Sequence, residues 1–347
     1  MSKSILVSAG CVLFAACGPA KEPSVAPIEP VVAPTAQNEE LAADKPAPEP
    51  SAEEKKKAEE KQKLEADREK MLADHKAELA RWTPELTAEA RALAEKSYPT
   101  GKAAILAALA GKHRRPESAA RDRHRHPLET LEFMGFAPTM TVLEYGPGEG
   151  WYTELLAPAL AKRGKLVITN GDPKGPPDLR ATFYAERVQL FLDKSPELFG
   201  KVERVTVDGK NPKLPQEGTL DLALVIRGMH GMQNNGTLDA WLAELRRALK
   251  PKGVLGVVQH RAAPDADPAV SSKQGYLPEK WLIERIEAAG FKLQKKSEIN
   301  ANPKDTRDHP DGVWSLPPTL RGGDKDREKF VAIGESDRMT LRFGKKE

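Results

Sequence analysis

One short stretch restricts this chain more than any other. "TVLEYGPGEGWYTELLAP", Thr141 to Pro158, passes from an apolar run of strand character through three glycines into a helical pattern. Glycine reaches left-handed backbone conformations freely and lets a ligand approach the main chain. Gly146, Gly148 and Gly150, at alternate positions, therefore prescribe a tight turn between a strand and a helix. In a doubly wound sheet such a turn is where a ligand binds. A dinucleotide fingerprint needs G-x-G-x-x-G, but here the third glycine comes one residue early and Trp151 takes its place, which speaks against NAD or FAD. No Gly-Lys-Ser/Thr follows, so the turn is not a Walker A loop.

From about Arg121 onward, strand-like runs alternate with helical ones. "TVLEY", "KLVITN", "VERVTVD", "LDLALVI" and "GVLGVVQH" are interleaved with "YTELLAPALAKR", "ATFYAERVQLFL" and "LDAWLAELRRALK". Strands apolar on both faces, separated by helices, predict a parallel sheet covered on two sides. "FKLQKKSE" and "DRMTLRF" have no helical pattern between them, which predicts an antiparallel pair closing the sheet. Their connection, Asn300 to Asp337, is too long for a plain hairpin; with Trp314, Arg321 and Arg327 it reads as a lid over a substrate.

The first 120 residues have a different texture. "MSKSILVSAGCVLFAACGP" starts with Lys3, continues through an apolar run too short to span a bilayer, and ends in small residues before Cys17. This is the pattern of a signal peptide over residues 1–17. Its end resembles a bacterial lipobox, which implies lipid on Cys17 and attachment to the envelope. Gly18 supplies no acid for inner-membrane retention, so the periplasmic side of the outer membrane is the expected location. Cys11 and Cys17 are the only cysteines, so a mature chain beginning at Cys17 has neither disulfides nor thiolate metal sites. Residues 18–51, rich in Pro, Ala and Glu, read as a disordered tether. Residues 52–120 read as a helical stalk with further helices, Leu64, Met71, Leu72 and Leu79 forming a thin apolar stripe. The basic run "KHRRPESAARDRHRH" reads as a solvated helix face. A net charge of +3, from 54 basic and 51 acidic side chains, gives no nucleic-acid footprint.

The pattern Glu144-x-Gly146-x-Gly148-x-Gly150 on a first strand, with the strands after it and the closing hairpin, resembles the class I S-adenosylmethionine-dependent methyltransferases over residues 121–347. "GWYTELLAP", "EINANPKDT", "GVWSLPPTLRGGD" and "IGESDRMTLRF" are similar to an uncharacterised bacterial branch of predicted methyltransferases. The resemblance implies a Rossmann-like, doubly wound, mostly parallel α/β sheet with S-adenosylmethionine as cofactor, and leaves the small-molecule or envelope acceptor open. It further implies that Glu144 and the three glycines hold the methionine part, that Asp172 or Asn170 meets the ribose, and that Asp208 meets the adenine amino group.

Methyl transfer asks the protein to align a nucleophile and sometimes to remove its proton. His230 after the fourth strand and His260 at the end of the fifth are the candidate bases. Arg227, Arg261 and Arg321 are candidate cations for an anionic substrate. His124 and His126 read as preceding a helix. No histidine pair has metal-binding helical spacing, and no metal is expected. A domain that binds the cofactor without turnover, or an envelope scaffold, is the competing reading.

Overall fold

The computed structural model describes residues 51–215 and 217–346. The signal sequence, Cys17 and the tether to residue 50 lie outside the described residues. Residues 51–346 belong to one compact unit.

Helix α1 (Ala52–Arg81) opens with a capping box in which the Ser51 hydroxyl accepts from the Glu54 N–H and the Glu54 carboxylate from the Ser51 N–H. The stripe expected to face solvent along a stalk is exposed at Leu72 and Leu79 but buried at Leu64. The middle of α1 docks on α8 (Arg180–Asp193) through Asp67 with Arg180 and Arg68 with Glu186. The segment is therefore part of the compact unit rather than a free stalk. Five more N-terminal helices follow before the sheet, beginning with α2 (Pro84–Glu95), α3 (Gly101–Ala110), and the single turns α4 (Pro116–Ala119) and α5 (Asp122–Arg125). The last before it, α6 (Pro127–Met134), starts at His126, which takes a left-handed φ of 41° to set the corner with α5.

The sheet has seven strands: β1 (Thr141–Glu144), β2 (Lys165–Asn170), β3 (Glu203–Thr206), β4 (Leu220–Ile226), β5 (Leu249–His260), β6 (Phe291–Ser297) and β7 (Arg338–Lys345), in the order β3-β2-β1-β4-β5-β7-β6. The first five are parallel. β7 is antiparallel to both β5 and β6 and lies between them. The expected mostly parallel sheet with an antiparallel C-terminal pair is thus observed.

Alternation along each strand explains the two layers, because successive side chains leave opposite faces. Val142, Leu166, Ile168, Leu222 and Leu224 join one core under α2, α3, α6, α8, α7 (Thr153–Leu160) and α9 (Pro196–Phe199). Leu143, Val167, Ala223 and Val225 join the other, under α10 (Met229–Asn234), α11 (Leu238–Ala248) and α13 (Glu279–Ala288). The short α12 (Pro268–Ser271) and α14 (Arg327–Ile333) complete the described helices.

Candidate functional site

The strand order reverses between β1 and β4, and the carboxyl ends of those strands form the crevice in which open α/β sheets bind ligands. The glycine turn stands at the tip of β1. Gly146, Gly148 and Gly150 have φ of 51°, 64° and 79°, the left-handed region that side-chain-bearing residues avoid. Their surroundings divide their roles. A Cβ added to Gly146 or Gly148 would meet nothing within 4 Å, whereas one on Gly150 would lie 2.3 Å from the Phe191 ring of α8. The first two glycines thus face open space, and the third allows close helix packing. The Thr169 hydroxyl on β2 accepts from the Gly146 N–H at 3.1 Å and fixes the turn to its neighbouring strand.

Trp151 does not fill that open space. Its indole N–H donates to the Ser118 carbonyl at 2.7 Å, and its ring lies 4.6 Å from the Arg125 guanidinium, on the side of α4 and α5. Glu144 is buried at the end of β1 and accepts from the Thr153 hydroxyl at 2.7 Å, which couples the strand tip to the first turn of α7. Burial pushes its carboxyl up to about 7, against the lowering effect of that hydrogen bond.

The acids expected at the next two strand ends are exposed. Asp172 lies two residues past β2 and accepts from the Lys174 N–H. Asn170, the alternative, donates its amide to the Ala185 carbonyl. Asp208, past β3, accepts from the Lys210 N–H and the Asn211 amide, and the first of these does most to hold its carboxyl low. Asn170 ends β2, while Asp172 and Asp208 follow the tips of β2 and β3, all on the same edge as the glycine turn.

His230 and His260 come together beyond β4 and β5, with ring centroids 5.8 Å apart. Gln259 of β5, fully buried, reaches His230 Nδ1 at 3.4 Å, and Ser336 Oγ meets His260 Nδ1. Burial pushes the His230 imidazole down to about 4. Burial, then His230 and the charges of Arg227, Arg338 and Arg125, hold His260 well below the usual histidine range. Both rings are accordingly neutral near pH 7.

The three expected substrate cations have different surroundings. Arg227 stands at the tip of β4 with a φ of 58°, and burial lowers its guanidinium to about 10. Its Nε is buried without a partner among the described residues. Arg261 commits all three guanidinium nitrogens to Asp337, Glu279 and Glu298. These bonds tie β5 to the C-terminal connection. Arg321 is half-exposed and stacks 4.9 Å from the Trp314 ring.

The run "KHRRPESAARDRHRH" departs furthest from expectation. His113, Arg114 and Arg125 are buried rather than solvated. Arg114 makes paired bonds of 2.6 and 2.8 Å to Asp122, and His113 Nε2 meets the Glu154 carbonyl at 2.9 Å. Arg125 joins Arg121, Arg227 and Arg338 around Glu335. Sequence reasoning missed Arg125, Arg338 and Glu335. The only signal was a charged run against apolar segments, "ESDR" before "MTLRF", which reads equally well as a surface turn.

The C-terminal connection is anchored at both ends. Asn300 bonds Thr130 and Thr340, and Asp305 accepts from Tyr276 and from the Asp337 N–H and meets His309 Nε2. Residues 321–329, the outer part of the connection, are exposed. A cavity of about 240 Å³, lined by Thr141, Lys165, Glu203 and Leu220 among others, lies at the opposite, amino end of the strands.

No family profile and no curated protein matches the chain. Among solved structures, a SAM-dependent methyltransferase from Aquifex aeolicus is 21% identical, with 53% of this chain and 89% of that one covered and a TM-score of 0.41. The (4+2)-cyclase SpnF is 18% identical over 64% and 81%, at 0.47. A 1,6-didemethyltoxoflavin-N1-methyltransferase from Burkholderia thailandensis, with 1,6-didemethyltoxoflavin and S-adenosylhomocysteine bound, is 17% identical over 65% and 78%, at 0.39. The fold rests on the strands themselves: five parallel strands with a reversal between β1 and β4, closed by an antiparallel seventh, make a Rossmann-like doubly wound α/β sheet.

Proposed function

We propose that this chain is an S-adenosylmethionine-dependent methyltransferase acting on an unidentified small molecule or envelope component. The observation that supports it most is the open space over Gly146 and Gly148 at the reversal point of a β3-β2-β1-β4-β5-β7-β6 sheet. The backbone there fits the compact methionine part of the cofactor, which has no diphosphate. Glycine N–H groups can donate to the carboxylate of that part, and the Glu144 carboxylate can accept from its ammonium.

When bound, the cofactor supplies a methyl group on a positively charged sulfur. In this reading Glu144 faces the ammonium, with Gly146, Gly148 and Gly150 shaping the floor. Asp172, or Asn170 in its stead, takes the ribose hydroxyls, and Asp208 takes the adenine amino group. His230 and His260 stand at the acceptor end. Each has its Nδ1 engaged by a neighbour, at Gln259 and Ser336, which fixes the ring orientations. Both rings are uncharged near neutral pH and so able to accept a proton. Their depressed basicity suits an acceptor that is itself readily deprotonated. Arg227 supplies positive charge at the same strand tips, and Arg321 does so from the outer part of the C-terminal connection.

The reading extends to location: a lipid on Cys17 holds the chain to the bacterial envelope, with the sheet on the periplasmic side of the outer membrane.

Titration calorimetry on the full chain with S-adenosylmethionine, S-adenosylhomocysteine and NAD tests the proposal. Saturable heat with the first two and none with NAD is expected. Heat with NAD alone, or with none of the three, refutes it. Binding without transfer of labelled methyl to any envelope or small-molecule fraction would instead favour a non-catalytic binding protein.

A further inference from the structure

Glu335 is 5% exposed and is bonded by three guanidinium groups, with a fourth acting on it through its charge. Arg121 reaches it at 2.7 Å, Arg338 at 3.0 Å and Arg125 at 3.3 Å, while Arg227 acts on it through its charge. Four cations thus share one carboxylate in a place with little water. Arg125 is 2% exposed and Arg338 3%. Their remaining partners are few: Arg338 Nη2 donates to the His124 carbonyl, and Arg125 lies against the Trp151 ring. Arg125 Nη1 and Nη2, Arg338 Nε, Arg227 Nε and Arg121 Nη2 are buried without a hydrogen-bond partner among the described residues. Burial and mutual repulsion lower Arg125 and Arg227, the signature of positive charge that the protein itself does not neutralise.

Uncompensated buried charge is costly and buried donors are ordinarily satisfied. A cluster that violates both rules beside a candidate site is arranged for a missing negative partner. The geometry points to a binding site for an oxyanion, a carboxylate or phosphate group of the methyl acceptor, formed by Arg125, Arg227 and Arg338 with Arg121 at its edge. This inference rests on the methyltransferase reading and gives that acceptor a chemical class. Planar guanidinium groups with several free N–H donors suit a group with two or three oxygens.

The position of the cluster in the sheet favours the acceptor over the cofactor. Arg227 is at the tip of β4. Arg338 begins β7 and pairs with His260 at the tip of β5. The acids assigned to ribose and adenine follow β2 and β3, on the other side of β1. The charges of Arg125, Arg227 and Arg338 all act on His260, which pairs with Arg338 across the sheet, so an anion held by them lies on the His260 side of the crevice. The rival occupant is the cofactor's own carboxylate, since Arg125 also approaches the residue that follows Gly150.

Calorimetric titration of the full chain with inorganic phosphate and with acetate, at matched ionic strength, tests the site. The titrations are run with and without saturating S-adenosylhomocysteine. At least one of the two anions is expected to bind saturably and to bind equally well in the presence of S-adenosylhomocysteine. The anion with the tighter affinity identifies the acceptor group. Arg125→Gln should weaken it about ten- to hundredfold, the range for losing charged hydrogen bonds, while S-adenosylhomocysteine affinity stays within about twofold. No saturable binding of either anion to the folded wild type overturns the site. Mutual exclusion of anion and S-adenosylhomocysteine overturns it as well, assigning the arginines to the cofactor carboxylate and leaving the methyltransferase reading intact. Saturable anion binding without S-adenosylhomocysteine binding keeps the anion site but removes the methyltransferase. Should Arg125→Gln fail to fold by circular dichroism, the wild-type competition decides alone.

Discussion

Glu144 connects sequence and chemistry most directly at the scale of single residues. Burial pushes its carboxyl up to about 7, against an ordinary value of 4.5. A carboxyl whose pKa rises on folding binds more protons in the folded state. Its contribution is therefore most favourable below 4.5 and is lost as pH climbs through 7. Glu144→Gln keeps the shape and the bond from Thr153 but cannot ionise. It should leave stability at pH 5 nearly unchanged and raise it by about 1–3 kcal/mol at pH 8 in the ligand-free protein. Urea unfolding at the two pH values measures this, and equal effects at both would contradict it. The same change should weaken S-adenosylhomocysteine about tenfold or more, because an ammonium then loses its counter-charge. The glycines separate in the same way. Gly148→Ala meets no atom and should cost about 1–2 kcal/mol of backbone strain while obstructing the cofactor. Gly150→Ala drives a methyl into Phe191 and should chiefly unfold the protein. Thermal melts with and without S-adenosylhomocysteine distinguish the two. The glycines were legible because only one residue type makes such a turn. The state of Glu144 was not, because burial depends on helices far away in the chain.

Among elements, the strands were the easiest to read and the charged segments the hardest. β1, β2, β4 and β5 are apolar on both faces, and that pattern has little use outside a covered parallel sheet. The run around α4 and α5 shows the opposite. A helix face rich in arginine is ordinarily solvated, and nothing local says that Arg114 will find Asp122 or that Arg125 will find Glu335, 210 residues away. The connection from β6 to β7 was legible as long but not as anchored, because its anchors are single polar side chains. Asp305 is the clearest of these. Replacing it with alanine strands the Tyr276 hydroxyl, His309 and the N–H groups of Arg307 and Asp337, all of which it now satisfies. Asp305→Ala should cost about 3 kcal/mol or more and speed limited proteolysis between residues 310 and 329. Cleavage at the wild-type rate would show that the outer part of the connection moves independently of this anchor.

For the whole molecule, location and chemistry pose separate questions. The proposed lipid anchor at Cys17, outside the described residues, is tested in cells: radiolabelled palmitate should enter the wild type and not Cys17→Ser. Label persisting in that variant would move the attachment point or remove the anchor. The N-terminal helices were legible as helices from their composition. The docking of α1 onto α8 was not, because one buried leucine and two ion pairs leave no periodic trace.

The position of β7 also has a consequence for how the protein is made. The strand latest in the chain is not at the margin of the sheet but between β5 and β6. A ribosome or an export channel delivers the chain from its beginning, so the slot that β7 fills stays vacant until residues 338–345 emerge. Meanwhile β5 presents unpaired main-chain groups along a long hydrophobic flank, the kind of surface that recruits other nascent chains. A cell making this protein would have to shield that flank, and the need for a holdase should end abruptly when the closing segment arrives.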